Sequence, residues 1–123
     1  YLSGAEITYL PQQDWHGHED LARKIQSDYS AAGHKAFFIP IGASDEIGLW
    51  GYIAACEELK KDFARLQMVP EYIVVATGSG GTQGGFVAGL VTMNSAIRVI
   101  GMEIDAAPAM VEAAVREVAA HGR

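Results

Sequence analysis

The pattern of apolar and polar positions along this chain predicts strands and helices in strict alternation. Short runs rich in β-branched and aromatic side chains predict strands at residues 6–10, 35–39, 72–77 and 97–104. Helices are predicted at residues 16–32, from the end of a loop at 41–48 to about residue 67, at 86–93 and at 107–120. Because each crossover is long enough for parallel pairing, we predict an α/β fold. Its expected form is three-layered, with a parallel four-stranded sheet in the order β-α-β-α-β-α-β-α.

Particular residues support the two long helices. In the first helix, Leu21, Ile25 and Tyr29 form an apolar stripe, Asp14 is the predicted N-cap, and Gly33 is the predicted end. The predicted buried side of the second helix consists of Trp50, Ile53, Leu59, Phe63 and Leu66.

The third strand and the turn after it are the centre of the prediction. Residues 72–77 are a β-branched run typical of a strand that is buried on both faces. The sequence Gly78-Ser-Gly-Gly-Thr-Gln-Gly-Gly85 follows, and then an apolar helical run. Several backbone N–H groups and a helix N-terminus meet at such a turn, which favours binding of a phosphate or another small anion.

The glycines beyond the turn add to this hypothesis. Gly84, Gly85 and Gly89 would each cost about 1 kcal/mol relative to alanine inside a helix, so a ligand or a neighbouring backbone is expected to come close to them. The alternative is a tight βα turn whose glycines serve only helix–sheet packing.

Composition excludes several classes of protein. The 123 residues suffice for one compact domain. A net charge of −6 without a Lys/Arg cluster argues against nucleic acid and anionic membrane as partners. No apolar run approaches the ~20 residues that span a bilayer. Cys56 is the single cysteine, so no internal disulfide is possible, and a reducing, cytoplasmic location is predicted.

Two loops with small and hydroxylated residues are expected at the carboxyl ends of strands, where ligands bind in open parallel sheets. One contains Ser44, the other Ser79 and Thr82. Neither serine lies in a nucleophile motif with a companion histidine, so hydrolase chemistry is disfavoured. The glycine-rich turn lacks the lysine of a P-loop, and Gln83 interrupts the dinucleotide pattern G-x-G-x-x-G.

Four other features have alternative interpretations. Glu103 ends the fourth strand, where a dinucleotide site would place its ribose-binding acid, but a solvated strand end is the simpler interpretation. The sequence His16-Gly-His18-Glu-Asp20 is better explained by acids that complement a helix dipole than by metal binding, so no metal is predicted. Cys56 is expected to be buried packing, and Tyr52 to pack in the core or face the ligand loop.

Read together, three stretches resemble a known family. They are Phe38-Ile-Pro-Ile-Gly-Ala-Ser44, Gly48-Leu-Trp-Gly-Tyr52 and Val74-Val-Ala-Thr-Gly-Ser-Gly-Gly-Thr82. They resemble the fold type II, tryptophan synthase β-like, pyridoxal-phosphate-dependent enzymes. The branch that they resemble is that of D-cysteine desulfhydrase and 1-aminocyclopropane-1-carboxylate deaminase.

The resemblance implies a role for the glycine-rich turn, and it also shows that this chain lacks the family's cofactor-binding lysine. It implies that the turn holds the phosphate of pyridoxal 5'-phosphate, through Gly78, Ser79, Gly80, Gly81 and Thr82. Family members bind the cofactor to a lysine in a Gly-Asn-Lys context, and no lysine of this chain has that context. We therefore expect no catalytic residue in this stretch, which alone should be inactive. The missing lysine and the start at Tyr1 indicate a central piece of such an enzyme, with residues 1–43 ending the small domain and 44–123 forming part of the large cofactor-binding domain.

The function predicted for the parent protein is that of a lyase or deaminase acting on a small amino acid of the D-cysteine or 1-aminocyclopropane-1-carboxylate type. The alternatives are an NAD(P)-dependent Rossmann-like oxidoreductase and a non-catalytic α/β module that binds a phosphorylated metabolite. A homodimer is expected, because a small α/β unit leaves sheet edges and apolar faces uncovered.

Overall fold

In the computed structural model, which describes residues 3–104 and 108–120 (the side chains of 108–110 and 118 excepted), the chain forms two compact units. These are Tyr1–Ile39 and Pro40–Arg123. The described elements are helices α1 (His18–Ala31), α2 (Leu49–Leu66), α3 (Gly81–Thr92) and α4 (Pro108–Ala120), strands β1 (Tyr72–Thr77) and β2 (Arg98–Glu103), and 3-10 turns at Gln12–Gly17 and Ile41–Ala43.

Ala107, the predicted start of the last helix, lies outside the described residues. The division falls just before the predicted boundary between residues 43 and 44. The assignment of the two parts to a small domain and a cofactor domain stays a prediction.

In the first unit, α1 continues directly from a 3-10 turn, and no side chain caps its N-terminus. Gly17 is the N-cap residue and no side chain caps the helix, so the predicted cap at Asp14 is wrong. Asp14 lies inside the 3-10 turn, and its backbone N–H donates to the Pro11 carbonyl at 2.9 Å. The predicted end is confirmed: Gly33 has a φ of 85°, the left-handed conformation that suits glycine after a helix.

The strands predicted at residues 6–10 and 35–39 do not form in the described structure. Phe37 is 69 % exposed and Ile39 67 % exposed, which is not the burial of a central parallel strand. An apolar run becomes a strand only where a neighbouring strand supplies ladder hydrogen bonds. Here the Gln26 side-chain amide of α1 donates to the Ala36 carbonyl at 3.1 Å instead. The predicted four-strand order therefore stays unconfirmed.

The sheet of the second unit is parallel, and it confirms the α/β class. β1 pairs with β2 in a register that runs from Tyr72 opposite Arg98 to Thr77 opposite Glu103. Residues of β1 alternate in burial, and Val74 is 61 % exposed, so the prediction of a strand buried on both faces is wrong for the described part of the chain. The reason is that α3 packs on the alternate residues, the set that includes Thr77, while the set that includes Val74 has no described helix over it.

Helix α3 is the centre of the second unit. It is apolar on all sides and contacts α2, α4 and both strands, which is typical of a helix buried all round. Leu49 and Ile53 of α2 form the core cluster with Ala88 of α3. Of the predicted buried side of α2, Ile53 is confirmed, whereas Trp50 is 62 % and Leu66 53 % exposed. The buried positions of α2 are Leu49, Ile53 and Cys56, because this stripe faces the glycines of α3.

Two of those glycines set the distance between α2 and α3. A Cβ at Gly85 would lie 2.6 Å from Tyr52 Cβ and 3.1 Å from the Leu49 carbonyl oxygen. A Cβ at Gly89 would lie 3.1 Å from both Cys56 Cβ and Ile53 Cα. The helices could not come so close with larger residues there. α3 begins at Gly81, so the predicted start at residue 86 is wrong.

Candidate functional site

The carboxyl end of β1 leads directly into the N-terminus of α3. Gly80 is the N-cap residue, with a φ of 86°, and its carbonyl accepts the first helical hydrogen bond from Gly84 N–H at 2.8 Å. The N–H groups at the start of α3 consequently have no partner within the helix. No side chain caps this end, and its first turn contains no acidic residue. Partial positive charge is therefore concentrated here without an internal counter-charge.

A second loop, residues 41–45, is shaped by its own hydrogen bonds. Gly42 and Ala43 have φ values of 68° and 48°, and the Asp45 carboxylate accepts the N–H groups of Ile47 at 3.1 Å and Gly48 at 2.7 Å. We call residues 41–45 the serine loop. Asp45 was not among the predicted site residues, although Asp three positions before Gly at a helix start is a turn signal. Its bonds hold the neighbouring Ser44 in place.

The serine loop and the turn after β1 interlock. Ser44 Oγ donates a hydrogen bond to Ser79 Oγ at 2.6 Å. A Cβ at Gly42 would lie 3.1 Å from Ser79 Cβ, and one at Gly81 would lie 3.1 Å from Ser44 Cβ. Each glycine thus makes room for the serine of the opposite loop, which brings two hydroxyls together against the first residue of α3.

The predicted phosphate residues are contiguous at this point, and we call them the glycine turn: Gly78, Ser79, Gly80, Gly81 and Thr82. Gly80 and Gly81 are buried, Gly78 and Thr82 are half-buried, and Ser79 is exposed. A small anion could therefore reach the hydroxyl of Ser79 while the glycine backbone supplies donors. Their assignment as cofactor ligands stays a prediction.

The described residues give no support to a serine nucleophile or a metal site. The described part of the second unit contains no histidine that could act as a general base, and the Ser44 hydroxyl donates to another serine. Among the residues that the structure describes, no three His, Cys, Asp or Glu side chains are grouped closely enough to hold a metal ion. His18 instead stacks on Trp15 at 4.6 Å, and its Nδ1 lies 2.6 Å from the Trp15 carbonyl oxygen.

A cavity of about 320 Å³ lies beside the glycine turn, at the carboxyl ends of the two strands. We call it the strand-end cavity. It is lined by Thr77, Gln83, Gly101, Glu103, Val111, Glu112, Val115 and Arg116. Glu103 is exposed at the end of β2, as the simpler interpretation predicted, and it also lines this cavity.

A larger cavity of about 710 Å³ lies at the other ends of the same strands. Its lining includes Cys56, Phe63, Pro70, Met93 and Arg98, and none of the residues of the glycine turn. Cys56 is buried, as predicted, and burial raises the pKa of its thiol, which makes it a poor nucleophile. The size of this cavity therefore does not make it the candidate site.

The lysines lie elsewhere in the chain. In the second unit they are Lys60 and Lys61, both in the later half of α2, and Lys60 lines the larger cavity. The residues at the glycine turn thus fit a phosphate group, through backbone donors and hydroxyls, but they include no amine that could bond an aldehyde.

The chain is similar to known proteins of one family. A family model described as "Pyridoxal-phosphate dependent enzyme" matches residues 1–122. A protein of Pyrococcus furiosus that carries the provisional name 1-aminocyclopropane-1-carboxylate deaminase is 35 % identical to this chain over 83 residues, which are 68 % of this chain and 25 % of that protein. The chain thus spans about a quarter of the length of this curated relative. Within the described residues, no helix is both long and apolar enough to cross a membrane.

Proposed function

Since the family match covers nearly its whole length, this chain belongs to the pyridoxal-phosphate-dependent enzymes, and we propose that its glycine turn holds the phosphate of that cofactor. The resemblance inferred from the sequence motifs is thereby confirmed at the level of the family. The assignment of Gly78, Ser79, Gly80, Gly81 and Thr82 to the phosphate is our proposal.

One observation supports this proposal above the others: the uncapped N-terminus of α3 lies against the hydroxyl pair of Ser44 and Ser79. A phosphate needs several short, directed donors, and an open helix N-terminus offers them together with a favourable dipole. Ser79 is the exposed member of the pair and would donate to the phosphate. Ser44 would hold Ser79 in its rotamer, since the two hydroxyls already lie within hydrogen-bond distance.

The bound cofactor would supply an electron sink for reactions at the α-carbon of an amino acid. The residues of this chain would bind the cofactor and orient it. The glycine turn anchors the phosphate end, the left-handed Gly80 aims the N–H groups at the start of α3, and Asp45 stiffens the serine loop by accepting two backbone N–H groups.

We propose that the protein to which this domain belongs is a lyase or deaminase acting on a small amino acid, of the 1-aminocyclopropane-1-carboxylate or D-cysteine type. The name of the Pyrococcus furiosus relative supports the first of these substrates. The 123 residues alone should release no ammonia from either compound, because none of their lysines has the Gly-Asn-Lys context of the family's cofactor lysine. An ammonia assay with pyridoxal phosphate present checks this.

We also propose that the chain self-associates, as a homodimer or larger. Tyr72, Val74, Ile100 and Met102 leave one face of the sheet apolar and at least 41 % exposed at each position, which is a surface typical of an interface. Light scattering after size-exclusion chromatography should give at least twice the mass of the chain, and a clean monomer at high concentration would refute the proposal.

The experiment that tests phosphate binding is a titration of the isotope-labelled chain with inorganic phosphate and with pyridoxal 5'-phosphate, followed by amide chemical shifts. We expect both probes to shift the amides of the glycine turn. Ser79→Ala removes a hydroxyl that would donate to a charged group, so affinity for both should fall about tenfold or more.

The matched control is Ser95→Ala, at the opposite end of α3, where the serine hydroxyl accepts the Ile97 N–H at 3.3 Å. It should bind phosphate as the unchanged chain does. Equal affinities for the Ser79 variant and the unchanged chain, or shifts confined to residues outside the glycine turn, would refute the proposal.

A further inference from the structure

The larger cavity, at the start of the two strands, has an apolar floor and a charged rim, and we call it the strand-start cavity. Its volume of about 710 Å³ is within the range of small-molecule sites. The residues of its floor are buried or half-buried and come from α2, α3 and the segment between α3 and β2. They are Cys56, Leu59, Phe63, Leu90, Met93 and Ile97. A ligand that fits this floor has an apolar body.

Two cations and one acid lie on the rim of this cavity, and all three are exposed: Lys60, Arg98 and Glu71. The Arg98 guanidinium lies over the Tyr72 ring, 4.6 Å from its centroid, and donates a hydrogen bond to the Tyr72 hydroxyl. It is therefore held at the start of β2 without a carboxylate. In the part of the chain that the structure describes, neither Lys60 nor Arg98 forms an ion pair. The charge of the rim is thus positive, although the net charge of the chain is −6.

The helix ends at this cavity do not supply the missing counter-charge. Near the end of α2, the Phe63 carbonyl accepts a hydrogen bond from the Met68 N–H at 2.9 Å. Near the end of α3, the Leu90 carbonyl accepts one from the Ser95 N–H at 2.9 Å. Carbonyl groups that are paired in this way are not left to bind the cations of the rim. The rim can therefore attract an anion from outside the chain.

We propose that the strand-start cavity binds a small hydrophobic carboxylate. Its apolar chain occupies the floor, and its carboxylate lies toward Lys60 and Arg98 at the rim. An inorganic anion would gain nothing from the floor, and an apolar amine would meet two like charges. This binding goes beyond the proposed phosphate site, because it uses none of the glycine-turn residues and requires no cofactor.

The test compares two ligands with the same chain and opposite charge. The labelled chain is titrated with octanoate and with octylammonium, both below the concentrations at which they form micelles. We expect octanoate to shift the amides of Leu59, Met93 and Ile97 and to bind about tenfold more tightly than octylammonium. The net charge of the chain by itself would favour the ammonium ion, so this preference would have its origin at the rim.

Lys60→Met removes one charge of the rim and keeps an unbranched side chain. Because an exposed charge pair contributes little, we expect octanoate affinity to fall about fivefold. Affinity for octylammonium should rise, a change of sign that a general loss of structure would not produce. Lys61→Met is the matched control: it removes the same charge from the next residue of α2, which does not line the cavity. It should change either affinity by less than about twofold.

A second variant tests the apolar part of the cavity. Ala64 is exposed on α2 and lines the cavity, so Ala64→Phe should fill part of the space without disturbing the core. We expect it to weaken both octanoate and octylammonium, whereas Lys60→Met acts on the two in opposite directions.

Four results would overturn the proposal. The first is an absence of shifts in the lining at millimolar octanoate, or shifts confined to the glycine turn. The second is equal or tighter binding of octylammonium, and the third is an equal effect of the Lys60 and Lys61 variants. The fourth is a shift of the same amides on dilution without ligand, which would identify a second copy of the chain as the occupant. The phosphate proposal would survive each of them, since its probe is inorganic phosphate and its variant is at Ser79.

Discussion

The glycines at the start of α3 and those in its body are the same residue type used for different physical reasons. Gly80 lies in the left-handed region, with a φ of 86°, and shapes the turn that presents backbone donors. Gly85 and Gly89 have ordinary helical positions and face α2. The first kind is required by backbone conformation and the second by the space between two helices. Only the first kind has a direct connection to the proposed anion binding.

This difference corrects an inference from the sequence. The glycine content of the helix predicts that either a ligand or a neighbouring backbone comes close to it, and the first of these would strengthen the case for a bound anion. The backbone that comes close to Gly85 and Gly89 is that of α2. The Leu49 carbonyl lies near Gly85, and the Ile53 Cα lies near Gly89. The proposed phosphate binding therefore involves the glycine turn and the serine loop, and not the helical glycines.

The largest expected effect is that of Gly85→Ala. The new Cβ would lie 2.6 Å from Tyr52 Cβ, which is attached to the backbone of α2 and cannot rotate away. We expect the free energy of unfolding to fall by about 1–3 kcal/mol, although alanine favours the helix by about 1 kcal/mol. Urea denaturation measures this loss, and the remaining folded chain should still bind phosphate.

Gly51→Ala is the control for that substitution. Gly51 lies within α2, and nothing is within 4 Å of the position of its Cβ. The same change should therefore stabilise the chain, by about 0.5–1 kcal/mol. If both variants were equally stable, close packing of α2 on α3 would not be the reason for glycine at residue 85.

An intermediate effect is expected for Gly80→Ala. A left-handed conformation costs a residue with a Cβ about 1–2 kcal/mol, and the new atom would lie 3.1 Å from both Ala114 Cβ and the Val115 backbone nitrogen. Relief of this strain would turn the N–H groups at the start of α3, so phosphate affinity should fall together with stability. A variant that loses stability but binds phosphate normally would show that the conformation of Gly80 is not needed for phosphate binding.

The smallest effect is expected for Gly89→Ala. Its nearest neighbour is Cys56 Sγ, at 2.6 Å from the new Cβ, and this atom can rotate away. Cys56 Cβ and Ile53 Cα, both at 3.1 Å, cannot rotate away, but at this distance α2 needs to shift by only a few tenths of an ångström. Burial raises the pKa of the Cys56 thiol, so the unchanged chain should react slowly with thiol reagents. The variant should turn the thiol toward solvent, lower its pKa toward the ordinary value and react several-fold faster at the same pH. An unchanged labelling rate would show that α2 moves as a whole instead.

Much of the second unit could be predicted from the sequence, because its signals are local. The β-branched run 72–77, the end of α2 near residue 67 and the burial of Cys56 follow from side-chain type and period. The failures are non-local. The segments at 6–10 and 35–39 have strand-like composition but no described partner strand, and Trp50 lies outside the stripe that α3 covers.

The sequence by itself determined the family, the parallel α/β class and the residues of the glycine turn, since these depend on motifs and on backbone preferences within a few residues. Tertiary structure decided the rest. Only packing brings Ser44 to Ser79 across 35 positions of sequence, assigns Gly85 and Gly89 to the approach of α2, and leaves the Thr77 hydroxyl buried without a partner. The physical reason is that burial and close approach are properties of pairs of surfaces, and a local pattern specifies only one surface of each pair.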